Sequence, residues 1–254
     1  MAAAPLPPPS APVSEAAPLS EGARIVDIFI APSRTFTDLR RNASWWAPLL
    51  IMVVVSTLFV YTAGQKIGFR RIVENQMQSQ PKTQARLEQL PPDQREERMQ
   101  GAAKITQIIA YVFPAIAVIV WLIIALVMFA TFKLAVGVDV SYKVSLAVVV
   151  YSRLPLILKT VLAVLSLAAG MSADSFSLQN PVATNPGYFM NPGDGVFLYS
   201  IGSALDIFSI WALALTAIGF TCVSKAKRGT SFAIVFGWWA VFTLASAAFS
   251  AAFS

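Results

Sequence analysis

Residues 105–132 read ITQIIAYVFPAIAVIVWLIIALVMFATF, 28 positions without one charged side chain, bounded by Lys104 and Lys133. A helix that crosses a bilayer needs about 20 such residues. At the rise of an α-helix the run is about 42 Å long, so it must tilt in a hydrocarbon core of about 30 Å. Pro114 lies inside it and predicts a kink. Apolar runs of the same kind recur near 47–64, 144–169, 196–223 and 231–253. The pattern predicts an all-α chain, a polytopic membrane helix bundle with about five transmembrane helices.

Composition agrees. Hydrophobic residues make up 56% of the 254 positions and charged residues 13%, half the share of about 25% usual in soluble domains. The net charge of +6 lies largely at the ends of apolar runs, where it reads as membrane topology rather than as a nucleic-acid footprint. With no histidine and one cysteine, Cys222, the chain lacks the usual ligands for zinc, haem or iron–sulfur groups. No cofactor or metal is expected, and Cys222 reads as a small buried hydrophobe.

Residues 1–20 hold six prolines and no basic residue, the composition of a disordered Pro/Ala-rich tail. Residues 21–46 change character. Ile25, Ile28 and Phe29 recur at helical spacing, Pro32 interrupts, Phe36 and Leu39 continue the apolar side, and Arg24, Arg34, Arg40 and Arg41 flank it. This predicts a short N-terminal amphipathic helix, which either lies on the membrane surface with Phe29 and Phe36 facing lipid or packs on the protein's own spans. Trp45 and Trp46 stand at the interface before the first span. The membrane domain is expected over 47–253. Within it, 65–104 is a polar helical loop with eight basic and five acidic residues, where Asp93 and Glu96 have the spacing of a capping box. The loop 170–195 has no Lys or Arg and three Asn-Pro pairs, a turn-rich composition. The small residues of 246–252 recur every four positions, which lets a second copy approach through the fifth span.

The positive-inside rule gives an orientation. Four arginines precede the first span, Lys133 and Lys143 flank the next loop on that side, and Lys225, Lys227 and Arg228 crowd the last. Together with the 170–195 loop, which has none, these put the N-terminus in the cytoplasm and the C-terminus outside, with five crossings of a bacterial cytoplasmic membrane. The basic 65–104 loop is the exception.

Three charges fall inside spans: Arg153 and Lys159 in the third, beside Pro155, and Asp206 in the fourth. A charge at mid-bilayer costs roughly 2.5–3.5 kcal/mol even on the mild insertion scale, so each needs a partner or water. By helical rise, Lys159 lies about 24 Å and Asp206 about 28 Å from the inner side, which makes them the better pair; Arg153, about 15 Å deep, is expected to satisfy carbonyls freed by Pro155 or to snorkel inward. Such a set either ties helices together or forms an ion or proton path.

The segments IVDIFIAPSRTF (25–36), WWAPLL (45–50), VVVYSRLPLIL (148–158), NPGYFM (185–190) and LDIFSIWALALTAIGF (205–220) resemble the bacterial branch of the Yip family, multi-pass membrane proteins related to the Ypt/Rab-interacting proteins of eukaryotes. The resemblance implies five spans and a cytoplasmic N-terminus. Eukaryotic members take part in vesicle trafficking and bind Rab GTPases, but no GTPase-contacting motif is identified here, so the resemblance implies fold and location more than activity. The expected role is a non-enzymatic scaffold that binds another membrane or peripheral protein or organises the lipid bilayer. The alternative is a small transporter or channel using Lys159, Arg153 and Asp206.

Overall fold

The chain is described by a computed structural model that covers residues 17–253 except 79, 192 and 194; most of the expected tail, residues 1–16, lies outside the described residues. Helices are the regular structure of the described part, and no strand occurs among the described residues. Among the described residues, five helical segments are long and apolar enough to cross a membrane.

Two short helices, α1 (Glu21–Ile30) and α2 (Pro32–Leu39), form a hairpin turned at Ala31. Ser20 caps α1 by accepting from the Ala23 N–H, and Pro32 opens α2 at a position where its missing N–H costs nothing. The first span is α3 (Trp46–Lys66), followed by α4 (Phe69–Gln78) and α5 (Pro81–Glu88).

The next helix, α6 (Pro92–Ala130), runs unbroken for 39 residues. Its length of about 58 Å carries it well beyond the hydrocarbon core, so the end of the 65–104 loop and the second span are one helix. Helical geometry continues through Pro114. The capping box at Asp93 and Glu96 does not form: Pro91 is the N-cap and makes no side-chain cap. Pro91 offers neither a side-chain acceptor nor an N–H to complete a capping box, and Glu96 pairs with Arg70 instead. Thr131–Ala135 ends the helix in a π-turn.

The third span is divided. Helix α7 (Tyr142–Ser152) and helix α8 (Pro155–Ala168) meet at a tight turn through Arg153 and Leu154. The fourth is divided as well: α9 (Val196–Ala204) stops at Leu205, and α10 (Ile207–Ser224) starts afresh with Asp206 as its N-cap. Nine residues span about 14 Å, too little to cross, so α10 alone makes the fourth crossing. Helix α11 (Arg228–Phe253) is the fifth.

The bundle is built around α7 and α10. In α7 every residue from Ser145 to Ser152 is buried, the mark of a helix surrounded on all sides. By contrast α6 presents Ile105, Ile109, Ile116 and Ile123, and α3 presents Leu50, Val54 and Leu58, as exposed apolar stripes, suited to lipid contact. Gly219 explains how α10 approaches so closely: a Cβ there would lie 2.5 Å from Val148 Cγ1 and 2.9 Å from the Phe36 ring. In α11, Ala247 is buried while Ser246, Ala248 and Ser250 remain on the exposed side.

Candidate functional site

The α1–α2 hairpin lies on the protein's own helices. Phe36, Ile28 and Leu39 are fully buried, and Phe29 meets Trp211 of α10 edge to face at 5.8 Å. Phe36 therefore faces α7 and α10, not lipid. The exposed apolar side of α1 consists of Val26 and Ile30. Trp46 projects outward at the start of α3, whereas Trp45 packs half-buried on the core.

The hairpin is pinned by charges. Arg24, 1% exposed, bonds Asp38 through Nε and Nη2, each at 2.7 Å, and reaches Glu21 at 3.2 Å. Glu21 in turn accepts from the Tyr151 hydroxyl at 2.7 Å. Burial opposes the charge on Arg24, but the bond and attraction of Asp38 and the charge of Glu21 outweigh it and hold its pKa above the usual guanidinium value. The sequence offered no signal for this cluster beyond the i,i+3 spacing of Glu21 and Arg24.

At the start of α10, Lys159 of α8 and Asp206 meet at 2.8 Å between Nζ and Oδ2. The same Oδ2 accepts from the Thr184 hydroxyl, and Oδ1 accepts from the Phe208 and Ser209 N–H groups at 3.1 Å each. Asp206 is thus at once the ion partner of α8, the cap of α10 and the anchor of the 170–195 loop. The Ile207 N–H adds a bond to the Thr184 carbonyl at 3.1 Å. Thr184 gave no sign of this role, because it sits in the Asn-Pro loop with no charge or spacing to mark it.

That loop is folded. Asn180 and Asn185 exchange side-chain bonds at 3.1 and 2.7 Å, and Asn185 caps the following turn. Gly187 and Gly202 press the loop onto α9; a Cβ on Gly187 would lie 2.5 Å from the Ser203 nitrogen.

The basic 65–104 loop reaches the same face and joins this structure. Arg71 pairs with Asp174 and Glu74, and Asn75 donates to the Ala173 and Phe176 carbonyls at 2.6 and 2.9 Å. Arg70 grips Glu96 with two bonds, 2.6 and 2.9 Å, and also pairs with Glu74. Hydrogen bonds to these arginines hold the Glu74 and Glu96 carboxyls below the ordinary range. The two arginines closest to the end of the first span are therefore neutralised in place.

For Arg153, the first of the two expectations, that it serves carbonyls freed by Pro155, does not hold. The carbonyls near Pro155 are already served by the backbone: Leu154 N–H bonds Tyr151 O and Arg153 N–H bonds Val150 O, both at 3.1 Å. The guanidinium has no carbonyl to satisfy. Its Nε is buried without a hydrogen-bond partner, and among the described residues it forms no ion pair. It lines a cavity of about 390 Å³ between α6, α10 and α11.

These features define a polytopic α-helical membrane protein whose buried charges join helices, loops and caps. The chain matches the Yip1 domain over residues 26–249, nearly its whole length, and belongs to that family. No curated protein and no solved structure matches it.

Proposed function

We propose that the chain is a non-enzymatic scaffold of the membrane, oriented with its N-terminus in the cytoplasm and its C-terminus outside a bacterial cytoplasmic membrane, and that it works by presenting a fixed surface to a membrane or peripheral protein. The observation that carries this reading is the condition of Asp206. Both of its oxygens are committed, to Lys159, Thr184 and two backbone N–H groups. A carboxylate in a transport path must exchange partners during the cycle, whereas this one links three parts of the fold. The arginine cluster around Arg24 supports the same reading, since it fixes the N-terminal hairpin rather than leaving it free.

The test is flux. Proteoliposomes carrying Lys159→Met/Asp206→Asn should show the same proton and ion flux as wild type. A well-folded double variant that loses a measurable wild-type flux would establish a transporter and overturn the scaffold.

A further inference from the structure

The Arg153 cavity combines one cation with walls that are otherwise almost wholly apolar. Val120 and Ile123 of α6 and Phe242 of α11 line it and are also 44%, 55% and 55% exposed on the outer surface of the bundle. The cavity therefore opens sideways, toward acyl chains. Two of its polar wall groups are already engaged: the Thr216 hydroxyl donates to Ala212 O at 2.8 Å, and the Trp238 indole donates to Thr131 at 3.1 Å. A hydrated ion would find one charge and few further donors. An amphiphile with an anionic head and a long apolar tail would find a match for both parts.

Depth narrows the choice. By helical rise, Thr216 lies about 12 Å from the end of α10, and Arg153 and Trp239 each lie about 17 Å from the starts of α7 and α11, all measured from the side of the bundle where α10 ends and α11 begins. That is close to the middle of a hydrocarbon core of about 30 Å. The head of a two-chain glycerolipid is tied to the interface by its backbone and second chain. A single-chain carboxylate has no such tie. A carboxylate also accepts the two parallel N–H bonds of a guanidinium. No Asp or Glu among the described residues lines the groove, so nothing in it favours a zwitterionic head.

We propose that Arg153 and the groove between α6, α10 and α11 form a binding site for a long-chain fatty carboxylate, with the head on Arg153 and the tail leaving past Ile123 and Phe242. The site is independent of the scaffold reading, because neither Lys159 nor Asp206 takes part.

Two measurements test it on the full chain in vesicles of neutral lipid. First, a brominated long-chain fatty acid should quench indole fluorescence saturably through Trp238 and Trp239, and the unbrominated acid should reverse it. Arg153→Gln should weaken this by about tenfold or more, as expected for losing a charge-assisted contact, and Arg153→Lys should recover part of it. The brominated methyl ester should quench without saturation. Equal saturable quenching by the ester, or by Arg153→Gln, would reduce the site to simple partitioning. Equal saturable quenching by brominated phosphatidylglycerol would overturn the single-chain assignment. Second, and without any variant, a diazirine-bearing fatty acid should label wild-type peptides 120–128 and 235–242. Labelling spread evenly over the exposed stripe of α3 would also overturn the proposal.

Discussion

Asp206 holds an ion pair and a helix cap with separate oxygens, so the two contributions can be measured apart. Lys159→Met leaves the carboxylate in place but removes its counter-charge. Breaking a buried pair from one side costs about 3–5 kcal/mol. The lower end applies here, because the Lys159 side chain is 20% exposed and Thr184 and two N–H groups still serve the carboxylate. Asp206→Asn keeps the cap, since Asn caps as well as Asp, and strands Lys159 for a similar cost of about 3 kcal/mol. Asp206→Leu also loses the cap, worth about 1 kcal/mol more. The double variant Lys159→Met/Asp206→Asn leaves neither charge and should lie within about 1 kcal/mol of wild type. Lys159→Met/Asp206→Leu should lie about 1 kcal/mol below that, by the cap alone. The assay is reversible unfolding in mixed micelles, titrated with a denaturing detergent. If the single losses simply add in the double variants, the pair has no coupling and the reasoning fails. If Asn and Leu behave alike at 206, the cap contributes nothing.

Gly219→Ala should place a methyl against Val148 and Phe36, costing about 1–3 kcal/mol by overpacking and loosening the N-terminal hairpin, read as faster proteolysis ahead of residue 45. Because Arg70 and Arg71 hold Glu96 and Glu74 below the ordinary carboxylate pKa, their contribution is complete above about pH 4.3 and is lost as pH falls through the lowered folded values. Cleavage of the 65–104 hairpin by an acid protease should rise in that lower window, and in Arg70→Gln an acid-independent protease should cut it already at neutral pH. In a Cys222→Ser background, Ala183→Cys and Ala85→Cys should react with an impermeant thiol reagent from outside and Lys227→Cys should not; the reverse pattern overturns the orientation.

The sequence announced the helix class and the five crossings because lipid demands long apolar runs whatever their neighbours do. It also paired Lys159 with Asp206, since helical rise converts position into depth. The breaks were harder to read. Pro155 declared itself, but the division at Leu205–Asp206 lies in an apolar run with no proline or glycine at the junction, and only the capping bonds of Asp206 reveal it. One of the two readings of Arg153 failed because backbone bonds of the i→i−3 kind closed the gap that its side chain was expected to fill. Arg24 and Asp38 lie fourteen positions apart on two different helices, a spacing that carries no periodic signal.

The seat of the N-terminal hairpin also sets an order of events during synthesis. Gly219, against which Phe36 packs, follows it by 183 residues. At translation rates of about 5–20 residues per second, roughly 10–40 s pass between the two leaving the ribosome. Throughout that interval α1 and α2 have no α10 to rest on, and three spans must enter the bilayer first. These two helices, made before the spans, are among the last to settle, and in the meantime their bare phenylalanines are open to whatever chaperone or lipid surface stands nearest to the insertion machinery.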